Sequence, residues 1–362
     1  MWRKNLTNKL VSAWNGFNYL LPGGYAFLPP VIIFEVTFRC NLKCNFCILF
    51  DKGSNFNMPS ELTFDQIKKA IDNLSRSYRH LPYKPLIGFI GGEPFMRKDF
   101  LKILKYAKMR GFRFAVTTNF SVLSHNDILE LIALKPFDIR ISLDGPEKIH
   151  DAIRGVKGTF KNVERNLASL RHHADGKKIP VRLNCVINDK NIGYLEYLIT
   201  FARKYSCSLS FQHLIFLDEP LVKAHNSITA KFFGKPVVKA ATSHNLDKKF
   251  IMRMEKTIPS LIQESKRQGV PLSFTPDLKV NELMPYYFDL KGYRHSKRCK
   301  FIYGTARILP SGEVNSCMVG YSYGDIKKQP FSDIWNSKKA RHFRNTVKKV
   351  GLFPGCARCC KI

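Results

Sequence analysis

No stretch of this sequence approaches roughly 18 uninterrupted apolar residues, so no membrane-spanning helix is expected. The N-terminus has no clean apolar core followed by an A-x-A-like site, so no secretory signal is read. Internal repeats and low-complexity segments are missing as well. Acids are scarce: 28 Asp and Glu face 59 Lys and Arg, a formal net charge of +31. Residues 1–30 contain no acid, and residues 291–362 carry only Glu313, Asp325 and Asp333 against sixteen Lys and Arg. So positive a field favours anionic partners: phosphates, acidic peptides, nucleic acid or an anionic membrane surface. What is plentiful excludes disorder, because a chain with 44% hydrophobic residues, 28 Phe and 14 Tyr does not stay solvated. Its 362 residues suggest two domains at roughly 150 residues each.

Ten cysteines stand at positions 40, 44, 47, 185, 207, 299, 317, 356, 359 and 360. A secreted disulfide scaffold is short and spreads its cysteines through loops. Here the chain is long and most of its cysteines gather near two places, which favours metal or iron–sulfur ligation in a reducing cytoplasm. Cys185 and Cys207 lie in strand-like surroundings and read as core.

Residues 1–22 carry a helical apolar stripe, in which Trp2, Leu6, Leu10, Ala13, Trp14, Phe17 and Leu21 fall within an arc of roughly 120°. Such a helix either packs on the rest of the protein or lies in a membrane interface, helped by its purely positive charge. Pro22-Gly-Gly and Pro29-Pro30 end it. Apolar, β-rich runs then alternate with helical patterns. Strands are expected at Val31–Thr37, Leu86–Ile90, Phe112–Thr117, Asp138–Leu143, Pro180–Ile187 and Ser208–Leu217. Helices are expected at Thr63–Leu74, Lys98–Arg110, Asn126–Leu134, Thr159–His172 and Ile192–Tyr205. Six β units separated by five helices imply parallel strands with right-handed crossovers. The fold class is therefore α/β, a partial (β/α)6 TIM-like barrel whose site sits at the C-terminal strand ends. Residues 218–298 break the rhythm, with one long helix over about Asp247–Arg267. Thr305–Leu309 and Val314–Met318 read as a hairpin, and Phe331–Lys349 as a basic helix.

Cys40-x₃-Cys44-x₂-Cys47 follows the first strand directly. Three thiolates can hold three irons of a [4Fe–4S] cluster and leave the fourth open to a ligand. The alternatives are three inert structural thiols and a zinc knuckle, for which no fourth ligand lies nearby. Gly91-Gly92-Glu93-Pro94 follows the second strand: glycines admit close backbone approach, and a carboxylate there can receive an ammonium. Read alone, it is also compatible with an ordinary turn and a solvated Glu. Thr117-Thr118-Asn119 ends the third strand, and Ser142-Leu143-Asp144-Gly145 the fourth, with His150-Asp151 and Arg154-Gly155 shortly after. An arginine there suits a carboxylate because its donors form a planar fork, and it equally suits a surface ion pair. Val186-Ile187-Asn188 closes the fifth strand.

Taken together these segments resemble the radical S-adenosylmethionine (SAM) superfamily, in the branch that includes the anaerobic sulfatase-maturating enzymes. The resemblance implies a cluster on Cys40, Cys44 and Cys47 whose open iron chelates the amino and carboxylate groups of SAM. It implies that Phe46 lies against the adenine, that Gly91, Gly92 and Glu93 receive the methionine amine, and that Ser142 and Arg154 bind the ribose and carboxylate. Val186 lies on the segment that would line the adenine. Related enzymes usually read Thr-Asn-Gly where this chain has Phe120 after Thr118-Asn119, so Thr117–Asn119 receive no firm role.

Cys299-x₁₂-Gly312-x₄-Cys317 precedes Cys356-x₂-Cys359-Cys360. This resembles the opening of the SPASM domain, in its shorter "twitch" form as in radical SAM dehydrogenases. It implies one auxiliary [4Fe–4S] cluster on Cys299, Cys317, Cys356 and Cys359, with Cys360 a spare or alternative ligand. A structural zinc site is the other reading of four such cysteines. The division expected is 1–30 amphipathic helix and linker, 31–217 barrel, 218–298 helical connection, and 299–362 iron–sulfur module.

The resemblance implies an enzyme that cleaves SAM reductively to a 5′-deoxyadenosyl radical and takes hydrogen from a substrate. A net oxidation or C–X bond formation follows, assisted by the auxiliary cluster. A reductant such as flavodoxin or ferredoxin is implied as partner. The positive field suits an acidic peptide or a phosphorylated sugar or lipid-linked substrate. RNA fits less well, because the basic residues lack a stacked aromatic pattern. Asp218 and Glu219, just past the sixth strand, are candidate bases. The expected location is cytoplasmic, with peripheral membrane contact through residues 1–22. The competing class is a non-catalytic iron–sulfur or zinc scaffold that binds nucleic acid or membrane; it has no use for GGEP, SLDG or Arg154.

Overall fold

The computed structural model describes residues 2–47, 60–238, 247–289, 293, 296–317 and 320–359. Cys360 and the side chains of Trp2 and Leu6 lie outside the described residues. Seven parallel strands stand side by side in chain order: β1 (Val31–Glu35), β2 (Leu86–Ile90), β3 (Arg113–Thr118), β4 (Asp138–Ser142), β5 (Val181–Val186), β6 (Ser208–Gln212) and β7 (Leu272–Thr275). On the free side of β1 lies β8 (Thr305–Ile308), also parallel, followed by antiparallel β9 (Glu313–Asn315) and β10 (Gly324–Asp325). The expected partial (β/α)6 barrel is present, and its sheet continues through β7 on one side and the C-terminal hairpin on the other.

Helix α1 (Trp2–Leu20) precedes the sheet. The crossovers are α2 (Phe64–Ser77), α3 (Phe100–Met109), α4 (His125–Leu134), α5 (Glu147–Arg154) with α6 (Thr159–His172) and the short α7 (Ala174–Lys178), and α8 (Leu195–Lys204). Local chemistry sets their starts. Thr63 accepts a hydrogen bond from the Gln66 amide while Gln66 returns one, and Ser124 and Asp127 do the same before α4. After β6 come α9 (Glu219–Phe233), α10 (Lys248–Arg267) and α11 (Val280–Phe288); α12 (Phe331–Trp335) and α13 (Lys338–Val350) follow the hairpin. The single basic helix expected over Phe331–Lys349 is thus two. Ser337 caps the Ala340 amide and restarts the helix, while the Asn336 side chain leaves it to bond both backbone groups of Ala26.

Ile32, Phe34, Ile87, Phe89, Phe114 and Ile139 are fully or nearly fully buried against the helices. Several alternate residues are only half-buried: Ile33, Thr117, Arg140, Ser142, Arg182, Asn184 and Val186. The apolar runs thus bury their helix-facing side, while the other side mixes apolar and polar residues. An incompletely closed barrel leaves its inner face accessible, and that face carries arginines.

Helix α1 packs by the face opposite to the expected one. Asn15 and Asn18 are buried, while Leu10, Ala13 and Phe17 are exposed. The Asn18 carboxamide accepts from the Phe27 amide at 2.5 Å and donates to the Trp14 carbonyl at 2.8 Å, fastening the 22–30 turn beneath the helix. The absence of a side chain at Gly304 lets Asn15 approach, since a Cβ there would lie 1.6 Å from its Oδ1.

Candidate functional site

The C-terminal ends of β1 to β5 bring the predicted residues together. The segment leaving β1 is held by Glu61, which accepts from the Thr37 hydroxyl and the Phe38 amide, each at 2.7 Å. Arg97 donates to the Val36 and Leu62 carbonyls at 3.0 Å and forks onto Asp99. Beyond this anchor the cysteine loop folds onto the end of α5: the Lys43 amide donates to Arg154 O at 3.0 Å, and the Asn45 amide to Ile153 O at 3.1 Å. These are last-turn carbonyls that need a partner outside the helix. Gly155 has a φ of 72° there, and a Cβ would meet the Lys43 carbonyl at 2.6 Å.

Burial pushes the Cys40 thiol up to about 11, with Glu93, Cys44 and Cys47 adding to the rise and the Leu42 amide opposing it. A thiolate in such surroundings needs a positive partner, which a bound iron supplies. Among the described residues no group of three or more His, Cys, Asp or Glu converges on a single ion position. In a cubane cluster each thiolate meets a different iron, so convergence on one point is not required.

Glu93 lies behind the loop with no exposure. Its carboxylate accepts from the Asn119 amide at 2.6 Å, the Thr118 hydroxyl at 2.7 Å and the Phe95 amide at 3.1 Å. Burial nonetheless raises its pKa to about 7 against these bonds and the more distant Arg154. Glu93 has no direct cationic partner among the described residues. Gly91 and Gly92 bring this turn against the β1 exit, where a Cβ would stand 2.5 Å from Thr37 O or 2.4 Å from Arg39 O. Thr118 and Asn119, given no firm role from sequence, are thus the direct supports of Glu93. Phe120 takes a φ of 60°, the conformation glycine adopts freely, while its side chain is fully buried.

Arg154 closes the other side. Its Nε donates to Asp144 Oδ2 at 2.6 Å, its Nη1 lies 3.5 Å from the Cys44 sulfur, and its guanidinium stands 5.4 Å from the Phe46 ring centre. Burial opposes the charge, but Asp144 and Cys44 outweigh it and hold the pKa above the ordinary value. Asp144 also accepts from the Val186 amide at 3.1 Å and so ties β4, α5 and β5 together. His150 accepts from the Asp144 amide, and burial beside Arg154 keeps it neutral. Asp144 and His150 receive no role from the sequence alone. Their contacts join strand end to helix, which local spacing does not reveal.

Half-buried Ser142 ends β4 two residues before Asp144. One layer deeper, Arg140 and Arg182 are register partners across β4 and β5. Asp138 lies 3.3 Å from Arg140, while burial and the Arg140 charge lower the Arg182 pKa. Like charges directly opposite repel, so this inner face suits an anionic group. The candidate bases have other positions: Asp218 caps the Leu221 amide at 2.8 Å, and Glu219 is exposed in the first turn of α9.

The second group of cysteines lies around a ring cluster. Cys299 is buried, with its pKa raised by that burial, and stands next to the Phe301–Tyr303 turn. Half-buried Cys317 follows β9, and a Cβ on Gly320 would lie 2.9 Å from its sulfur. Cys356 ends the Pro354–Cys356 turn, which is set by His225 accepting from the Gly355 amide at 3.1 Å. Phe233 contacts Tyr321 on the Cys317 loop at 4.6 Å and Phe353 beside the Cys356 turn at 6.1 Å. Between Cys356 and Cys359, Arg358 is fully buried among Phe216, Tyr286 and Tyr293.

A parallel barrel with a three-cysteine loop after β1, a buried Gly-Gly-Glu turn after β2 and a basic cysteine module beyond defines a SAM-dependent iron–sulfur protein. The chain belongs to the radical SAM superfamily, whose model matches residues 34–186, and carries an iron–sulfur cluster-binding SPASM domain matched at residues 299–360. A [4Fe–4S] cluster with SAM, and auxiliary iron–sulfur, are its cofactors. It is 25% identical over 338 residues to the Fe-coproporphyrin III synthase of Methanosarcina barkeri, covering 91% of this chain and 80% of that protein. It is 31% identical over 187 residues to mycofactocin maturase MftC of Mycobacterium tuberculosis, covering 51% of this chain and 45% of that one. Among solved structures, anSMEcpe with bound AdoMet superposes with a TM-score of 0.62 at 16% identity, covering 89% of this chain and 84% of that one. Streptococcus suis SuiB gives 0.59 at 14%, covering 89% and 68%. These two likenesses concern the fold.

Proposed function

We propose that this radical SAM enzyme takes a hydrogen atom from a C–H bond of an anionic substrate and, with one auxiliary cluster, completes a net oxidation or a C–X bond formation. The observation that carries the reading is the bracket around the cysteine loop: buried Glu93 on one side, buried Arg154 on the other, with Cys40, Cys44 and Cys47 between. When bound to these three thiolates, the cluster supplies the electron that cleaves SAM to methionine and a 5′-deoxyadenosyl radical. Glu93 receives the methionine ammonium at the Gly91-Gly92 turn. Arg154, whose Nη2 is not engaged by the described residues, receives the carboxylate. Ser142 serves the ribose, while Phe46 and Val186 flank the adenine. Arg140 and Arg182 on the inner face hold the anionic group of the substrate. Cys299, Cys317, Cys356 and Cys359 hold the auxiliary cluster.

The substrate classes supported by the charge are an acidic peptide and a phosphorylated sugar or lipid-linked molecule. The relatives named for heme and coproporphyrin synthesis add carboxylated tetrapyrroles as a further anionic class. A flavodoxin- or ferredoxin-type reductant supplies the electron. Alanine at Cys299, Cys317, Cys356 and Cys359 is expected to leave uncoupled 5′-deoxyadenosine formation intact while abolishing substrate turnover. Stoichiometric zinc at this second site in the wild type contradicts the redox role.

Glu93 gives the pH dependence a definite sign. Its folded-state pKa of about 7 exceeds the ordinary 4.5, so its ionised form is disfavoured by the fold. Stability from this group is present below 4.5 and is lost as pH rises to 7. A bound ammonium favours the ionised form. SAM affinity is therefore expected to weaken about tenfold per pH unit below 7 at the steepest, measured by equilibrium binding. The Glu93→Gln variant should bind weakly, with a flat profile; a wild-type profile that stays flat over about one pH unit on either side of the Glu93 pKa contradicts the assignment.

A further inference from the structure

Helix α1 turns part of its apolar stripe outward, while Trp14 of that stripe is half-buried against Tyr83 and Phe27. Leu10 is 63% exposed, Phe17 55% and Leu20 73%, with exposed Ala13 between them at helical spacing. Exposed Tyr25 and Phe27 extend the patch past the helix end, and Phe27 stacks on Phe17 with ring centres 5.9 Å apart. The inward face holds Asn15 and Asn18. Packing of this kind is the reverse of a helix that contributes to a core. Single exposed apolar residues are ordinary, but a contiguous stripe marks an interaction.

The charges beside the stripe are positive. Arg341 lies 4.6 Å from the Tyr25 ring centre, Lys348 donates to the Tyr19 carbonyl at 2.7 Å, and Arg298 stands 6.0 Å from the Tyr19 ring. Helix α13, whose residue Arg341 meets the Gly24 turn, also exposes Lys338, Lys339 and Lys349. Neither residues 1–30 nor α13 contains a carboxylate side chain. An apolar strip flanked by cations without acids complements phosphate headgroups over hydrocarbon.

We propose that α1 and the turn after it form a docking face for an anionic lipid bilayer. Leu10, Phe17, Leu20 and Phe27 enter the acyl boundary, while the cations of α13 and Arg298 meet the headgroup phosphates. Amphipathic interfacial helices bind by this combination of buried apolar area and attraction to anionic lipid. The proposal uses neither the cysteine loop nor Glu93, so it stands apart from the radical chemistry.

The test is flotation of the full-length, cluster-reconstituted protein with phosphatidylcholine vesicles and with phosphatidylcholine–phosphatidylglycerol vesicles. Binding is expected to the anionic vesicles, and to fall as salt is raised. Leu10→Ser with Phe17→Ser should abolish it while 5′-deoxyadenosine formation stays at the wild-type rate. Lys348→Glu and Lys349→Glu should each weaken partition by at least about fivefold. Failure to float on anionic vesicles overturns the proposal, as does binding that survives the Leu10/Phe17 double variant. A dimer that the same double variant dissociates also overturns it, because a second copy would then cover the stripe.

Discussion

Replacing Cys40, Cys44 and Cys47 together with alanine is expected to abolish 5′-deoxyadenosine formation while the protein stays folded and keeps iron at its second site. The thiols are half-buried in a loop whose shape comes from other groups: Glu61 at the root, the α5 carbonyls of Ile153 and Arg154 along it, and Gly155 beneath it. Removing the sulfurs therefore removes ligands without removing the supports. Anaerobically reconstituted wild type should hold about eight irons and the variant about four, as two and one [4Fe–4S] clusters require. Measurable SAM cleavage by the triple variant would sink the assignment.

Arg154→Ala should lose both stability and SAM cleavage. Asp144 has no exposure, and Arg154 Nε is its direct cationic partner at 2.6 Å. Removing one member of a buried ion pair leaves the other charge uncompensated and costs about 3–5 kcal/mol. The loss reaches further than the pair, because Asp144 also fixes the Val186 amide of β5 and, through its own amide, His150 on α5. Arg154→Lys should recover part of the stability but little of the SAM affinity, since an ammonium cannot fork onto a carboxylate or lie flat on Phe46. Chemical denaturation and SAM binding, measured side by side, separate the two effects. A double variant with Asp144→Asn should recover stability relative to Arg154→Ala, because no buried charge then lacks a partner. If Arg154→Ala is as stable as wild type, the buried pair does not hold this site together.

The six central strands and the α6 boundaries were legible because short apolar runs and capping residues act locally. Thr63 announces α2, and Thr159–His172 forms a helix from end to end as its periodicity implies. The β8–β9 hairpin was legible as a hairpin, but β7 and the attachment of β8 to β1 were not. The β7 strand has four residues, none fully buried, inside a segment dominated by α10, and β8 joins β1 from more than two hundred residues away. Helix α5 hid within the Asp144–Gly155 motif, whose residues were read for chemistry. The orientation of α1 has a physical reason: Asn18, bonded to the Phe27 amide of the following turn, and Gly304, whose missing side chain admits Asn15, set the inward face in place of the apolar stripe. At the site, the sequence singled out Glu93 and Arg154 but not Thr118 and Asn119, which bond Glu93, nor Asp144, which bonds Arg154. Such contacts link chain segments that only the parallel sheet brings together.

The central claim is that an iron on the Cys40, Cys44 and Cys47 loop is open to SAM. Electron paramagnetic resonance of the reduced, auxiliary-cysteine-free protein, recorded with and without SAM, addresses it directly. With Cys299, Cys317, Cys356 and Cys359 replaced by alanine, the signal that remains belongs to the first cluster. The account predicts that SAM changes the g-values of that signal, because its amino and carboxylate groups enter the coordination of one iron. A reduced cluster signal that saturating SAM leaves unchanged contradicts it.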